Sequence, residues 1–169
     1  GKPLASGIPA ATYGMSTEVA TRAQAFLESL PQTDVGGVGG TLAANPLSLA
    51  AMRTTLREVL TDEAFARMID LGGRWTEGVR DSIERHDLPW TVQRLGCRAE
   101  YWFSQAPING AQAAAMVDHE LEEYFHLSAL NRGILLTPFH NMALMCPAHT
   151  MSDIDQHTEA FSEAVELLV

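Results

Sequence analysis

Apolar residues at helical spacing predict the first part of the fold. Glu18–Leu30 is expected to form a helix that Pro31 ends. Asn45 and Pro46 then mark a helix start, because an Asn side chain accepts hydrogen bonds from free amides and proline fits the first helical position. One face of this second helix is predicted to carry Leu49, Met52, Leu56 and Val59.

The same spacing predicts three further helices. Thr61 can cap a long helix whose apolar face is Phe65, Met68, Ile69, Val79 and Ile83. Ala111–Asn131 is expected to form a single helix, with Gly133 at the C′ position. Ser152 and Asp155 resemble a capping box and are expected to begin the last helix, whose apolar face is Ile154, Phe161, Val165 and Leu168.

Runs rich in β-branched and aromatic residues predict a small sheet. Trp90–Leu95 and Arg98–Ser104 flank Gly96, which is typical of two adjacent antiparallel strands. Two more short strands are expected, at Ile134–Thr137 and Met142–Cys146, and another around residues 10–13. From residue 45 onward, the order of helices and strands predicts a two-layer α+β unit.

Composition and charge narrow the possible functions. The net charge is −10, from 21 acidic and 11 basic side chains, which repels phosphate backbones and argues against nucleic-acid binding. No window approaches the roughly 20 apolar residues of a membrane span. Cys97 and Cys146 stand far apart without a Cys-x-x-Cys motif, so neither a disulfide framework nor a zinc site is indicated. A reducing cytoplasm is the expected location.

Two segments carry candidate chemistry. Lys2 lies between Gly1 and Pro3, and a lysine amine can condense with an aldehyde when its surroundings activate it. A glycine-rich run from residue 36 to Thr41, followed by the helix start at Asn45, offers amides, a hydroxyl and a helix dipole that suit a phosphate. Taken singly, a solvated lysine and a flexible surface loop are the more common explanations.

Together, the two segments resemble a known family. Gly1-Lys2, with Gly7-Ile8-Pro9 and Tyr13-Gly14, is similar to the lysine segment of class III pyridoxal-phosphate aminotransferases. The stretch from Gly40-Thr41 through Asn45-Pro46-Leu47 to Ala50-Ala51 is similar to their Gly-Thr-x-x-x-Asn-Pro-Leu-x-x-Ala-Ala segment. Ala148-His149-Thr150 and Asp153-Ile154-Asp155 resemble the branch that contains glutamate-1-semialdehyde aminomutase.

The resemblance implies a fold and a site. It implies the C-terminal portion of a fold-type-I α/β transferase, with residues 1–44 ending the large cofactor-binding domain and 45–169 forming the small C-terminal α+β domain. Lys2 would hold pyridoxal 5'-phosphate as an internal aldimine, and Gly40 and Thr41 would bind the cofactor, with Thr41 reaching the phosphate of the neighbouring subunit. The expected enzyme is a homodimer acting on a small amine or amino acid and a keto acid or aldehyde.

The resemblance also leaves alternatives open. Glutamate-1-semialdehyde 2,1-aminomutase is the second candidate, and an inert folding or dimerisation fragment is the third, because other family cofactor contacts lie upstream of the lysine. Ala5 and Ser6 stand where the family usually has two glycines, so the shape of the site is expected to differ. No arginine occurs between Ile134 and Thr150, which argues against the ornithine-like and ω-amino acid branches.

Other polar and aromatic groups are expected to be structural. His119, Glu123 and His126 have a spacing that could face one metal, but a solvated acidic helix face is the preferred interpretation, and no metal site is predicted. Trp75, Trp90, Tyr101, Trp102 and Phe103 are expected in the core or at a dimer interface. No role is predicted for His140 and His149.

Overall fold

The computed structural model describes residues 1–31, 39, 42–138 and 140–169. These residues form two compact units, Gly1–Thr61 and Asp62–Val169. None of the described helices is long and apolar enough to cross a membrane.

The first unit is helical. A short 3-10 helix covers Lys2–Ala5, followed by helix α1 (Thr17–Ser29) and helix α2 (Pro46–Thr54), which continues into a π-helical turn at Thr55–Val59. The predicted helices at 18–30 and after Asn45 are confirmed. No strand forms at residues 10–13, where that prediction was wrong.

The side chains of this unit bury very little. Ala5 and Thr55 are its only buried residues among those described. The apolar residues predicted on one face of α2 do not form a core, because Leu49, Leu56 and Val59 are all exposed.

The second unit combines three long helices with a small sheet. Helix α3 (Asp62–Arg85) is followed by strands β1 (Thr91–Leu95) and β2 (Arg98–Trp102), then by helices α4 (Gly110–Ala115) and α5 (His119–Asn131). Strand β3 (Met142–Leu144) and helix α6 (Met151–Leu168) complete it.

The sheet is antiparallel in the order β1-β2-β3. Gly96 turns the chain between β1 and β2 with φ +60°, and Val92 pairs with Tyr101 across the two strands. Ala99 pairs with Ala143 on β3. The predicted hairpin is therefore confirmed, whereas the predicted strand at Ile134–Thr137 is wrong, since these residues join no described sheet.

The core lies between α3, the sheet, α5 and α6. Met68, Leu71, Trp75, Val79 and Ile83 recur on one face of α3 and are buried. They pack with Phe125 on α5 and with Ile154, Phe161 and Val165 on α6. Of the face predicted for α3, Phe65 and Ile69 are exposed.

Two helix predictions in this unit need correction. The single helix predicted at Ala111–Asn131 is broken at Met116, because Asp118 caps a new helix by accepting from the Leu121 amide at 3.0 Å. The capping box of α6 lies two residues before the predicted pair, since it is formed by Thr150 and Asp153.

The predicted end of α5 is confirmed. Gly133 has φ +78° and donates its amide to the Leu130 carbonyl, while the Ile134 amide bonds to the Ala129 carbonyl. This pair of bonds is a Schellman motif, and a glycine at C′ avoids the steric cost of the left-handed backbone.

Candidate functional site

Lys2 begins a tightly constrained turn. It is the first residue of the 3-10 helix, and Pro3 fixes the next backbone angle. The Leu4 amide bonds to the Gly1 carbonyl at 3.1 Å, and the Ile8 amide to the Ala5 carbonyl at 3.0 Å. Lys2 is exposed, and within the described part of the chain no ion pair engages its ammonium group.

Lys2 is also the only lysine in the 169 residues. The other ten basic side chains are arginines, which stay protonated and do not form Schiff bases at neutral pH. An amine-based side-chain chemistry in this chain can therefore come only from Lys2.

The turn ends in backbone conformations that glycine usually adopts. Ser6 has φ 47° and ψ 46°, and Gly7 follows with φ +96°. A left-handed non-glycine residue is uncommon because its Cβ approaches the following carbonyl. Ser6 thus adopts a backbone conformation that favours glycine, and it adds a hydroxyl group to the turn.

Two side-chain hydrogen bonds connect this turn to the α2 region. The hydroxyls of Ser6 and Thr55 share a hydrogen bond of 3.0 Å, and the Ser48 hydroxyl donates to the Pro9 carbonyl at 2.9 Å. Thr55 is 5% exposed and starts the π-helical turn, in which the Leu60 amide bonds to the Thr55 carbonyl.

The start of α2 saturates its own amides. Asn45 accepts from the amides of Leu47 and Ser48 through its side chain, at 3.0 and 3.3 Å, and from the Leu49 amide through its carbonyl. Pro46 has no N–H to offer. The cap predicted at Asn45 is confirmed, but these amides are already used, so a phosphate would have to rely on donors upstream of α2.

The upstream donors of the prediction are Gly40 and Thr41. Both lie outside the described residues, so their role stays a prediction. Close to them in the described part, Ala44 has a left-handed φ of 54°, a conformation that costs a non-glycine residue energy. Strained backbone conformations are concentrated at functional sites, although strain alone identifies none.

The second unit holds a cavity of about 260 Å³ beside α6. Trp75, Leu136, Met145, Ile154 and His157 contribute to its wall. The residues that line this cavity are both polar and apolar, and none of them is a lysine. The cavity therefore has no side-chain amine of its own.

His157 is the unusual polar group of this wall. Burial lowers the pKa of His157 to about 4, so the ring is neutral at pH 7. The ring lies 5.0 Å from that of Trp75, and its Nδ1 atom is buried without a hydrogen-bond partner in the described structure. Burial, with a smaller contribution from Glu122, also raises the pKa of Tyr101, whose hydroxyl is unpartnered in the same sense.

Two of the aromatic residues predicted for the core, Trp75 and Tyr101, are buried in it. Trp75 and Tyr101 are each 1% exposed, with ring centroids 6.0 Å apart, and Trp90 meets Phe103 edge to face at 4.8 Å. Trp90 and Phe103 are half-buried against this core, and Trp102 is half-buried outside it, so the dimer-interface part of the prediction stays a prediction.

Four of the histidines outside the core have ordinary partners, whereas the Nε2 atom of His86 is buried without a hydrogen-bond partner among the described residues. His119 pairs with Glu122 at 3.4 Å, and His126 Nε2 contacts the His140 carbonyl at 3.1 Å. His149 Nδ1 accepts from the Cys146 amide at 3.1 Å. No three metal-ligating side chains come together within the described ranges.

Known proteins show what the chain is similar to. No protein-family model matches it. Glutamate-1-semialdehyde 2,1-aminomutase from a strain of Thermus thermophilus is 32% identical over 168 residues, which is 98% of this chain and 38% of that protein. The enzyme of the same name from Akkermansia muciniphila is 28% identical over 161 residues, or 95% and 36%. The chain thus spans a little over a third of the length of these curated relatives.

Solved structures agree. A glutamate-1-semialdehyde aminomutase from Pseudomonas aeruginosa PAO1 is 42% identical with a TM-score of 0.86, covering 92% of this chain and 35% of that one. An ω-transaminase from Sphaerobacter thermophilus is 26% identical with a TM-score of 0.64, covering 76% and 29%.

These likenesses define the class of protein. The fold is the C-terminal portion of a fold-type-I pyridoxal-phosphate-dependent transferase, as the sequence predicts. More particularly, the relatives and the Pseudomonas structure support a class III aminotransferase of the branch that resembles glutamate-1-semialdehyde aminomutase, of which this chain covers only part.

Proposed function

We propose that the whole enzyme containing this chain transfers amino groups with pyridoxal phosphate, between an amine or amino acid and a keto acid or aldehyde. The observation that carries the proposal is Lys2: it is the sole lysine of the chain, it is exposed without an ion pair among the described residues, and it begins a fixed turn. A variant of the Pseudomonas relative with one lysine replaced by alanine was solved in complex with PMP, which supports this choice of cofactor.

The chemistry assigns distinct tasks to the residues of this chain. The cofactor, when bound, would supply a ring that withdraws electrons from the substrate α-carbon. Lys2 would hold the cofactor through its amine and, when released, carry a proton between the α-carbon and the cofactor. Gly40 and Thr41 would bind the phosphate, with Thr41 acting on the neighbouring subunit of a homodimer.

The domain assignment is part of the same proposal. Residues 1–44 would complete the large cofactor-binding domain, and 45–169 would form the small domain. The compact units divide later, between Thr61 and Asp62, so α2 lies in the same unit as Lys2. This position agrees with the proposal, in which α2 follows Gly40 and Thr41 in the sequence.

Glutamate-1-semialdehyde 2,1-aminomutase is the second candidate function. Its support is the 42% identity to the Pseudomonas aminomutase and the absence of arginine between Ile134 and Thr150 in the sequence. An aminomutase converts one carbon skeleton without a second carbonyl substrate, whereas an aminotransferase needs an acceptor. Product formation from glutamate 1-semialdehyde alone, compared with turnover that requires an added keto acid, distinguishes the two.

The isolated chain is a separate case. It covers about a third of its relatives, and we expect no turnover from these 169 residues alone. Adding pyridoxal phosphate to the chain tests the inert-fragment alternative. Lasting colour that is lost in a Lys2→Ala variant would argue against an inert fragment.

Replacing Lys2 in the whole enzyme tests the proposal directly. Lys2→Ala should reduce amino-group transfer by roughly a thousandfold or more, because both the covalent attachment and the proton carrier are removed. Arg22→Ala is the matched control, since Arg22 is an exposed cation on α1 of the same unit, and it should leave turnover unchanged. Near-normal turnover in Lys2→Ala would reject the assigned mechanism.

A further inference from the structure

The hydroxyl of Ser6, which lies near Lys2 in the sequence, forms a hydrogen bond with that of Thr55, and the proposed chemistry gives this pair no task. Ser6 comes four residues after Lys2, at the end of the same turn, and its hydroxyl lies 3.0 Å from that of Thr55. The contact joins residues 49 positions apart in the chain. It is therefore a tertiary link and not a consequence of local helix geometry.

The conformation of Ser6 indicates that the link constrains the turn. A serine with φ 47° occupies a region that glycine enters freely and other residues enter only at a cost. Such a conformation persists when surrounding contacts hold it. Here the Ser6 amide also donates to the Pro3 carbonyl at 3.4 Å, so the residue is held at its backbone and at its side chain.

Thr55 is a firm anchor for this link. It is 5% exposed, and its amide donates to the carbonyls of Ala51 and Met52 at the junction of α2 and the π-helical turn. Single π-helical turns occur frequently at functional sites. A second contact, from the Ser48 hydroxyl to the Pro9 carbonyl, ties the same two segments together further along.

We propose that Ser6 and Thr55 are positioning residues that hold the Lys2 turn against the α2 region, so that the Lys2 amine is preorganised for the cofactor. This inference rests on the proposed function of Lys2. In chemical terms, the link lowers the number of backbone conformations available to Lys2 before the cofactor binds, and therefore strengthens binding without touching the cofactor.

Removing either hydroxyl in the whole enzyme tests the proposal. Ser6→Ala and Thr55→Val should each weaken pyridoxal phosphate binding to the apoenzyme by about threefold to tenfold, the loss expected for one neutral hydrogen bond. The double variant should bind pyridoxal phosphate no more weakly than the single variant with the lower affinity, because one shared bond is lost in all three. Cofactor absorbance during titration of the apoenzyme gives the dissociation constant.

Matched variants separate positioning from a structural effect. Thr54→Val makes the same change at the exposed neighbour of Thr55 and should bind the cofactor like the parent. Thr55→Ser keeps the hydroxyl and should bind like the parent too. Thermal unfolding of each apoenzyme is measured in parallel. Additive losses, or a lowered unfolding temperature with unchanged cofactor affinity, would overturn the positioning role.

The failure of this inference is distinguishable from failure of the proposed function. If borohydride fixes the cofactor on Lys2 but Ser6→Ala and Thr55→Val bind it like the parent, only the positioning role is wrong. If borohydride fixes no cofactor on Lys2 in the parent, the proposed function and the positioning role both fall.

Discussion

The two compact units of this chain are organised by different forces. In Asp62–Val169, a core built around Trp75 and Val79 removes large apolar side chains from water. In Gly1–Thr61, α1 and α2 contain no buried residue, and Phe26 is 63% exposed. The described contacts of the first unit include helix caps at Ser16 and Asn45 and the hydroxyl bond between Ser6 and Thr55.

The contrast shows where the candidate chemistry lies. Lys2 and the hydroxyl link between Ser6 and Thr55 belong to the unit with little burial, where hydrogen bonds hold the backbone of the turn. The second unit supplies the stable core but no lysine. Stability and candidate chemistry are thus carried by different parts of the chain, and substitutions should separate them.

The largest stability effect is expected in the second unit. Trp75→Ala should lower the free energy of unfolding by about 3–5 kcal/mol, because it leaves a large cavity beside Tyr101 and His157. Phe26→Ala in the first unit is the control and should change it by less than about 0.5 kcal/mol. Urea denaturation of the chain measures both. Equal losses would show that the contrast between the units is wrong.

Acid should destabilise the second unit through His157. The folded pKa of about 4 lies below the unfolded value near 6.5, so the unfolded state takes up a proton first. The contribution of neutral His157 to the free energy of unfolding is therefore fully present above about pH 6.5. It declines as pH falls toward 4, by up to about 3 kcal/mol. The contacting rings of Trp75 and Phe161 carry no charge that would offset this.

His157→Phe tests the assignment of this pH dependence. The ring is retained among its aromatic neighbours, but the titrating group is lost. Unfolding free energies measured between about pH 4 and 7 should therefore show a flatter profile than the parent. An unchanged slope in this range would assign the acid sensitivity to other groups.

Two glycines on α3 should respond in opposite directions. A Cβ on Gly78 would lie 3.0 Å from the Thr158 Cβ on α6, so Gly78→Ala should cost about 1–3 kcal/mol. A Cβ on Gly73 meets nothing within 4 Å, so Gly73→Ala should stabilise the helix by about 0.5–1 kcal/mol. Thermal unfolding distinguishes them, and similar shifts in the two variants would contradict the close approach of α3 and α6.

The smallest effect is expected at the cap of α2. Asn45→Ala removes the acceptor for the Leu47 and Ser48 amides and should cost about 1 kcal/mol of local stability. Hydrogen exchange at these two amides should accelerate about fivefold, while exchange in α3 stays unchanged. Slower or unchanged exchange at Leu47 and Ser48 would show that the cap does not protect the helix.

Predictions from sequence succeeded where the determining residues are local. The cap at Asn45, the hairpin around Gly96 and the Schellman end at Gly133 are each specified by a few adjacent residues. Thr150-x-x-Asp153 and Ser152-x-x-Asp155 are both possible capping boxes in sequence. The structure forms the first and uses Asp155 for an ion pair with Arg74 at 2.9 Å.

Predictions failed where distant partners decide. The stretch Ile134–Thr137 has strand-like composition, but β2 pairs with Met142–Leu144 instead. Asp118 could have signalled the break before α5, since it is a good cap residue inside the predicted helix. The spacing of apolar residues predicted one face of α2, but it could not show that this face is exposed. The hydrogen bond between Ser6 and Thr55 could not be predicted from the sequence, because it joins residues that only the fold brings together.

We propose Lys2 as the residue that binds the cofactor. Borohydride reduction of the whole enzyme, followed by peptide mass mapping, tests it most directly, because no other lysine in these 169 residues can compete for the label. We expect a pyridoxyl group on the peptide that contains Lys2. A pyridoxyl group found only on a lysine elsewhere in the enzyme, or on none, would contradict it.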